Sequence, residues 1–500
     1  MNDLPIKPIN PPLDQQVKYE FVRYCRGIGL DLGYGKERAF EHSVGLRLRG
    51  DDGDAVPNVK CDDLTNLDSV IPGSCDFILA ADVLSHYENA PAAVTDWLSR
   101  VKIDGYVCIY EPKGSNLSTL LTVAEAVGDG LDVVRLSRWG DGAFMVLQKK
   151  ASGFAFSYVK PRPEKTVCVV RHGGFGDQLQ AAYLLPELKR QGYHVTFLTT
   201  PLARQMVEHD PNIDEWFMVD HNQVPNHELV PFWSVITKHY DKFVNLNESV
   251  EGTLLTLPGR PSHQWPFSVR HKLMNRNYAE FAAMLAEIEF VPEGKFYTNP
   301  EEDEWCKTFL REAAQRADLE YPFVILWVLA GSSPHKFTPH QDTILKMILG
   351  SLKQAVVVMV GNEACRILEQ GWEKEKRVTL TSGKMEIRKT LALAQHVDLV
   401  VGPETGVMNS VCYADVPKVI MLSHSSHENL TKHWNETSVI EGTATCYPCH
   451  RLHYSSEYCP QDEETHAAIC QKNVDPRIIY SAIEHWYTSW ARVQMVRSAA

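Results

Sequence analysis

The stretch over residues 167–180 constrains the fold more than any other. An apolar run, Val167, Cys168, Val169 and Val170, leads to Gly173-Gly174-Phe175-Gly176. After Asp177 the apolar positions fall at helical spacing, at Leu179, Ala182, Leu185 and Leu188. Strand, glycine turn and helix start in that order make a βα unit, and repeating it implies a parallel sheet covered by helices. Glycines let backbone approach a ligand closely, and a helix N-terminus favours negative charge, so the loop suits a phosphorylated or otherwise anionic ligand. Asp177 brings a negative charge of its own. A carboxylate at that edge is either a helix cap or a general base, and spacing alone leaves both open.

The same grammar recurs on both sides. Upstream, Gly27-Ile28-Gly29-Leu30-Asp31-Leu32-Gly33-Tyr34-Gly35 ends a strand in a glycine turn. A buried-type strand over 76–80, a helix over 92–100 and a strand over 106–110 follow. Two β-rich runs, 131–136 and 143–148, are joined by the hairpin turn Gly140-Asp141-Gly142. Residues 1–16, polar and proline-rich, read as an arm, and 151–165 as an interdomain linker. Downstream of Asp177, helices over 180–191, 201–208 and 229–239 alternate with strands over 194–199, 215–219 and 242–245. The region 250–300 is less regular. It carries a helix over 277–288 and the group Trp265-Pro266-Phe267, which either shapes an acceptor pocket or fills a core.

A helix over 301–317 opens a second α/β set. A strand over 323–329 runs into Gly331-Ser332-Ser333-Pro334-His335-Lys336, and a helix over 339–353 follows. A strand over 355–360 precedes Gly361-Asn362-Glu363. Then come Gly383-Lys384-Met385, a helix over 386–396, and a strand over 399–401 ending at Gly402-Pro403-Glu404-Thr405-Gly406, before a strand over 418–422. Two such lobes in tandem, 166–300 and 301–475, place a ligand cleft outside the carboxyl ends of their strands. A final amphipathic helix, 476–500, presents Ile479, Ile483, Trp486, Trp490 and Val493 for docking on a lobe.

Residues 17–150 resemble class I S-adenosylmethionine-dependent methyltransferases. The resemblance rests on the Asp31-x-Gly33-x-Gly35 turn and on Asp62 after the run 59–61. It implies a Rossmann-like domain in which Asp31, Gly33 and Gly35 wrap the methionine end of S-adenosylmethionine and Asp62 lies by its adenine. Glu37 replaces the family's third glycine, and Arg47 stands where the family has an acid for the ribose. A guanidinium has no acceptor to offer ribose hydroxyls.

Residues 165–475 resemble the heptosyltransferases, glycosyltransferase family 9, of the lipopolysaccharide inner-core type. The resemblance implies a GT-B fold, two Rossmann-like lobes with the active-site cleft between them. It makes Gly173, Gly174 and Gly176 the acceptor-side loop and Asp177 the base on the acceptor hydroxyl. Ser332, Ser333 and Lys336 then hold the donor diphosphate, Lys384 and Met385 lie beside the nucleobase, and Glu363, Glu404, Thr405 and Gly406 complete the donor side. Many members carry Asp where this chain has Glu404, and His where it has Asn409.

The chemistry agrees with those roles. Attack on a nucleotide sugar needs the acceptor hydroxyl deprotonated, which a carboxylate in the cleft can do. Lys336, the hydroxyls of Ser332 and Ser333 and the helix start after Gly406 can stabilise the leaving diphosphate without a metal. The expected activity is inverting, metal-independent transfer from a nucleotide-sugar donor, ADP-heptose-like or related. Its acceptor is a hydroxyl on a small molecule or glycan, by the resemblance a surface glycan. Alternatives are transfer to a hydroxylated nucleic-acid base, as in phage DNA modification, and a bifunctional enzyme that also methylates.

Length and charge bound these readings. A chain of 500 residues exceeds one ordinary core, so several domains are expected. A net charge of −13 disfavours a whole-chain grip on nucleic acid. The first 16 residues lack a signal-peptide core, and the apolar runs 323–330 and 355–360 are too short to span a bilayer, so the expected location is the cytoplasm. The 12 cysteines are mostly scattered, as reduced thiols would be. Cys446, Cys449, Cys459 and Cys470 cluster, however, and read either as a structural zinc site or as loop thiols.

Overall fold

The computed structural model describes residues 13–32, 38–48, 59–61, 64, 66–112, 116–128, 130–150, 164–220, 223–331, 333, 336–453 and 458–499. The chain divides into two compact units. The first takes Met1–Cys168, Leu198–Pro201 and Trp216–Phe243, and the second takes Val169–Phe197, Leu202–Glu215 and Val244–Ala500.

The first unit holds seven strands: β1 (Gly29–Leu32), β2 (Ser43–Leu48), β3 (Val59–Cys61), β4 (Cys75–Ala81), β5 (Val101–Glu111), β6 (Leu131–Trp139) and β7 (Gly142–Lys149). Their order is β3-β2-β1-β4-β5-β7-β6. The first five neighbours are parallel, with Leu30 paired to both Val44 and Ile78. β7 runs antiparallel to β5 and β6. Strands buried on both faces read as continuous apolar runs, and Phe77, Ile78, Leu79 and Ala80 are all buried. The hairpin closes with Trp139 opposite Gly142, and Gly140 takes the positive φ of +57° that such a turn demands. Helices Ala90–Arg100 and Leu117–Val127 begin at Asn89 and Asn116, whose side chains accept from Ala92 N and Thr119 N. They bury Trp97 and Leu120 against Ile109 and Met145.

Helix Leu13–Phe21 begins inside the stretch that composition marks as an arm. It packs on helix Leu229–Ile236 of the same unit, with the rings of Tyr19 and Phe232 edge to face at 5.4 Å. Glu20 of the first of these helices is buried. It pairs with Arg135 Nη1 at 2.8 Å and His239 Nε2 at 2.6 Å.

Strands β8 (Thr166–Val170), β9 (His194–Thr199), β10 (Glu215–Met218) and β11 (Lys242–Asn245) form a four-stranded sheet in the order β10-β9-β8-β11. The helix expected over 180–191 is two helices, Phe175–Ala182 and Leu185–Arg190. Pro186 lacks the N–H that would bond back to Ala182, so the first helix ends there. It also starts earlier than expected, which puts Asp177 in its first turn.

In the second unit β12 (Phe323–Val328), β13 (Ala355–Val360), β14 (Val378–Leu380), β15 (Leu399–Pro403), β16 (Lys418–Met421) and β17 (Thr437–Ile440) form a wholly parallel sheet. Its order is β14-β13-β12-β15-β16-β17. The reversal of strand order at β12 and β15 opens a crevice at their carboxyl ends, where 329–331, Lys336 and 404–406 lie. The C-terminal helix, Pro476–Ala499, buries Ile479 and Ile483 completely and lays Trp486 and Trp490 on this sheet's core. Val493 stays exposed. Among the described residues no helix is long and apolar enough to cross a membrane.

Candidate functional site

The site is built inside the second unit, beginning with the glycine loop after β8. Gly173 has φ +119°, and a Cβ there would stand 2.7 Å from Asp177 Oδ2, so the position admits only glycine. That oxygen accepts the Gly174 N–H at 2.7 Å, capping the helix. The other, Oδ1, pairs with Arg171 Nη2 at 2.8 Å. Arg171 is buried. Its Nη1 donates to the Leu246 carbonyl at 2.7 Å, and its Nη2 also meets Glu251 Oε1 at 2.8 Å. One guanidinium therefore serves two carboxylates. Burial and the charge of Asp177 push the Glu251 carboxyl up, with Arg171 opposing. The sequence reading missed Glu251. The one signal was an acid in the turn after β11, beside no motif.

The other wall begins where β15 ends. Glu404 is buried, and the loop after β16 takes up its oxygens. Ser423 Oγ donates at 2.8 Å, Ser425 N at 3.0 Å and Ser423 N at 3.2 Å, and His424 Nδ1 stands 2.5 Å from Oε2. Burial alone would raise this carboxyl. The charge and hydrogen bond of His424, with Lys336 and Ser423, outweigh it and hold Glu404 at about 2. Lys336 is buried too, and its ammonium meets the same Nδ1 of His424. Burial lowers the His424 imidazole, Glu404 opposes that shift, and Lys336 adds to it.

These walls enclose a cavity of about 670 Å³, within the range of small-molecule sites. Gly173, Gly174, Gly176 and Asp177 line it, as do Met385, Glu404, Thr405 and Gly406. The two loops meet closely. A Cβ on Gly406 would lie 3.1 Å from Gly176 N, and one on Gly176 would lie 2.6 Å from Asn409 Nδ2. Thr405 caps the short helix Gly406–Ser410 by accepting from Met408 N at 3.3 Å. Glu251, Asn362, Tyr278 and His424 also line the cavity, and no Lys or Arg does among the described residues.

Other expected residues lie elsewhere. Lys336 stands behind His424, off the lining. Ser333 is buried, with its hydroxyl on the His453 carbonyl. Glu363 faces out and pairs with Arg366 at 2.6 Å. Lys384 is exposed, its ammonium 3.2 Å from the Leu380 carbonyl. Ser332 lies outside the described residues, as do Gly33, Gly35, Glu37 and Asp62. Arg47 lies in β2, with its side chain outside the description. Asp31 is buried in the first unit. Its Oδ2 accepts from Ala39 N at 2.5 Å, and burial pushes it to about 7 against the pull of that bond and of Arg38. Trp265 and Phe267 are partly exposed and off the cavity.

Cys446, Cys449, Cys459 and Cys470 are free thiols, and burial pushes Cys459 to about 11 and Cys470 to about 12. Among the described residues no group of three His, Cys, Asp or Glu side chains is assembled to hold a metal.

No family model matches this chain, and no curated protein does. Solved structures resemble it in two regions. A glycosyltransferase family 9 protein from Veillonella parvula is 16% identical, covering 65% of this chain and 98% of its own, with a TM-score of 0.47. The E. coli ADP-heptose lipopolysaccharide heptosyltransferase II is 12% identical, covering 65% and 99%, with a TM-score of 0.44. A S-adenosylmethionine-dependent methyltransferase from Archaeoglobus fulgidus is 16% identical, covering 27% of this chain and 94% of its own, with a TM-score of 0.22.

Proposed function

We propose that this chain is a glycosyltransferase that moves a sugar from a nucleotide-sugar donor to a hydroxyl, with inversion and without a catalytic metal. One observation carries the reading: a cavity joins Asp177, on its glycine loop, to the Glu404-Thr405-Gly406 turn. Direct displacement needs a base on the acceptor and a cradle for the departing diphosphate. Asp177 takes the acceptor proton as that oxygen bonds to the anomeric carbon, and the bond from carbon to diphosphate breaks on the opposite face. Each Asp177 oxygen holds one donor and keeps a lone pair for the acceptor. Glu404 acts by shaping the 423–425 loop. Met385, Ile387 and Asn362 offer the surface for a nucleobase.

The donor in this reading is ADP-heptose-like, and the lobes are 166–300 and 301–475. The acceptor wall combines Asp177 and Glu251 with Val250, Leu255 and Tyr278. It favours a neutral hydroxyl, as on an uncharged glycan, over a nucleic-acid base, whose phosphates would meet carboxylates. The N-terminal domain, 17–150, is read as a methyltransferase fold for S-adenosylmethionine, with the cytoplasm as the compartment. The test is a nucleotide-sugar panel scored by thermal shift, followed by nucleotide release with the best donor. A panel in which nothing stabilises the protein sinks the reading.

A further inference from the structure

The proposed donor brings a diphosphate into a cavity whose described lining carries three carboxylates, Asp177, Glu251 and Glu404. The two cations nearest those acids are already engaged. Arg171 lies between Asp177 and Glu251, and Lys336 stands behind His424. Both are buried. A ligand with two negative charges therefore needs a positive charge that the described lining does not present at rest.

His424 is the one described lining residue that can gain such a charge. Its Nδ1 faces both a donor and an acceptor, the Lys336 ammonium and Glu404 Oε2. A single ring nitrogen cannot serve both at once. With a neutral imidazole, Nδ1 accepts from Lys336 and the proton sits on Nε2. With an imidazolium, Nδ1–H donates to Glu404 and the Lys336 contact becomes repulsive. The Glu404 contact needs a hydrogen on Nδ1, and only the imidazolium carries one there together with another on Nε2.

Resting on the glycosyltransferase reading, we infer that His424 is the residue that meets the donor diphosphate, and that a nucleoside diphosphate sugar binds with uptake of a proton on its imidazole. The proton comes from solvent and no covalent bond changes. Nδ1–H turns to Glu404, and Nε2–H is left for a phosphoryl oxygen. Every charged neighbour enters this balance. Glu404 favours the imidazolium from the turn after β15 and Lys336 opposes it from the loop after β12. The Ser423 hydroxyl lies 3.3 Å from Nδ1. Behind it, His450 donates its backbone N–H to the His424 carbonyl, and burial holds the His450 ring neutral, at about 3. Asp177 and Glu251 stand on the other wall and favour the imidazolium. Burial holds the resting imidazole low, so a bound dianion has a proton to recruit.

The experiment is calorimetry at about pH 7.5 with ADP-heptose, ADP-glucose and UDP-glucose, whose diphosphates do not titrate there, in buffers of different ionisation enthalpy. The apparent enthalpy of the binding ligand should change with buffer enthalpy with a slope of about one proton taken up. His424→Gln keeps a neutral donor of similar size and should bind with no uptake. Lys336→Met removes the charge that opposes the imidazolium, so His424 charges more readily before the ligand arrives and uptake should shrink. A wild-type slope of zero, or one that survives His424→Gln, overturns the role of His424 and leaves the donor reading standing. No binding by any of the three sugars overturns both.

Discussion

Two carboxylates in this chain look alike in sequence and behave in opposite ways. Asp177 keeps a quarter of its side chain exposed and touches the cavity. Glu404 is buried and spends its oxygens on its own loop. Asp177→Asn should therefore lower turnover by about 100-fold or more with little change in donor affinity. Glu404→Gln should instead weaken donor binding and stability together, since it leaves Lys336 buried without its counter-charge. Calorimetry with the donor, run beside steady-state rates, separates the two. Gly173→Ala should cost about 1–3 kcal/mol, because its φ is +119° and the new Cβ would press on Asp177. Urea unfolding checks this, and an unchanged midpoint would remove the argument from strain. The sequence exposed Asp177 and Gly173 because glycine loops are local signals. It hid Glu251 and His424, whose place at the cavity comes from residues brought together across the fold. Serine and lysine in the 331–336 segment were legible as a motif. That Lys336 faces His424 and Ser333 faces His453 is a matter of side-chain direction, which spacing does not carry.

Element types followed from pattern wherever local chemistry and burial agreed. The run Phe323 to Val328 is apolar throughout because β12 lies inside a parallel sheet, and Asn277 and Asn299 mark helix starts as caps do. Helix Leu13–Phe21 was obscured by its proline-rich flank, since its reason to fold is tertiary: Glu20 sits between Arg135 and His239. Burial opposes ionisation of Glu20, but the hydrogen bond from His239 and the charge of Arg135 win and hold its carboxyl low. A depressed carboxyl stabilises above its unfolded pKa, and that stability is lost as pH falls through the folded one. Glu20→Gln should thus cost about 2–3 kcal/mol near neutrality. The gap between variant and wild type should narrow below about pH 4. Asp31 at the end of β1 has the opposite sign. Its folded pKa is raised from 3.8 to about 7, so stability falls as pH rises across that window. Asp31→Asn should match wild type near pH 4 and exceed it by up to about 4 kcal/mol near pH 8. A difference that is flat in pH would show that Asp31 is ionised throughout.

At the scale of the whole molecule, tandem α/β architecture was legible, because strand, glycine turn and helix recur along the chain. The extent of the first unit was not. It recruits Trp216–Phe243, far along the sequence, and the pattern there marks only a helix and the strands on either side of it. Within that unit Lys18 pairs with Glu228 at 2.7 Å, Arg26 with Asp220 at 3.1 Å, and Gln223 donates to the carbonyls of Val22 and Cys25 at 2.6 Å. Phe232 is buried with the ring of Tyr19 against it. Such contacts are reciprocal, so a chain beginning at residue 164 would leave Phe232 and its neighbours without the surface that covers them. An apolar face uncovered in this way favours association. The truncated chain should therefore form aggregates or lose cooperative melting, and light scattering with a thermal melt reads both. Phe232→Ser in the truncated chain should relieve the association, whereas in the full chain it should destabilise. A truncated chain that stays monomeric and melts as sharply as the whole would show that 216–243 needs nothing from the N-terminal residues, and that the first unit ends at the linker.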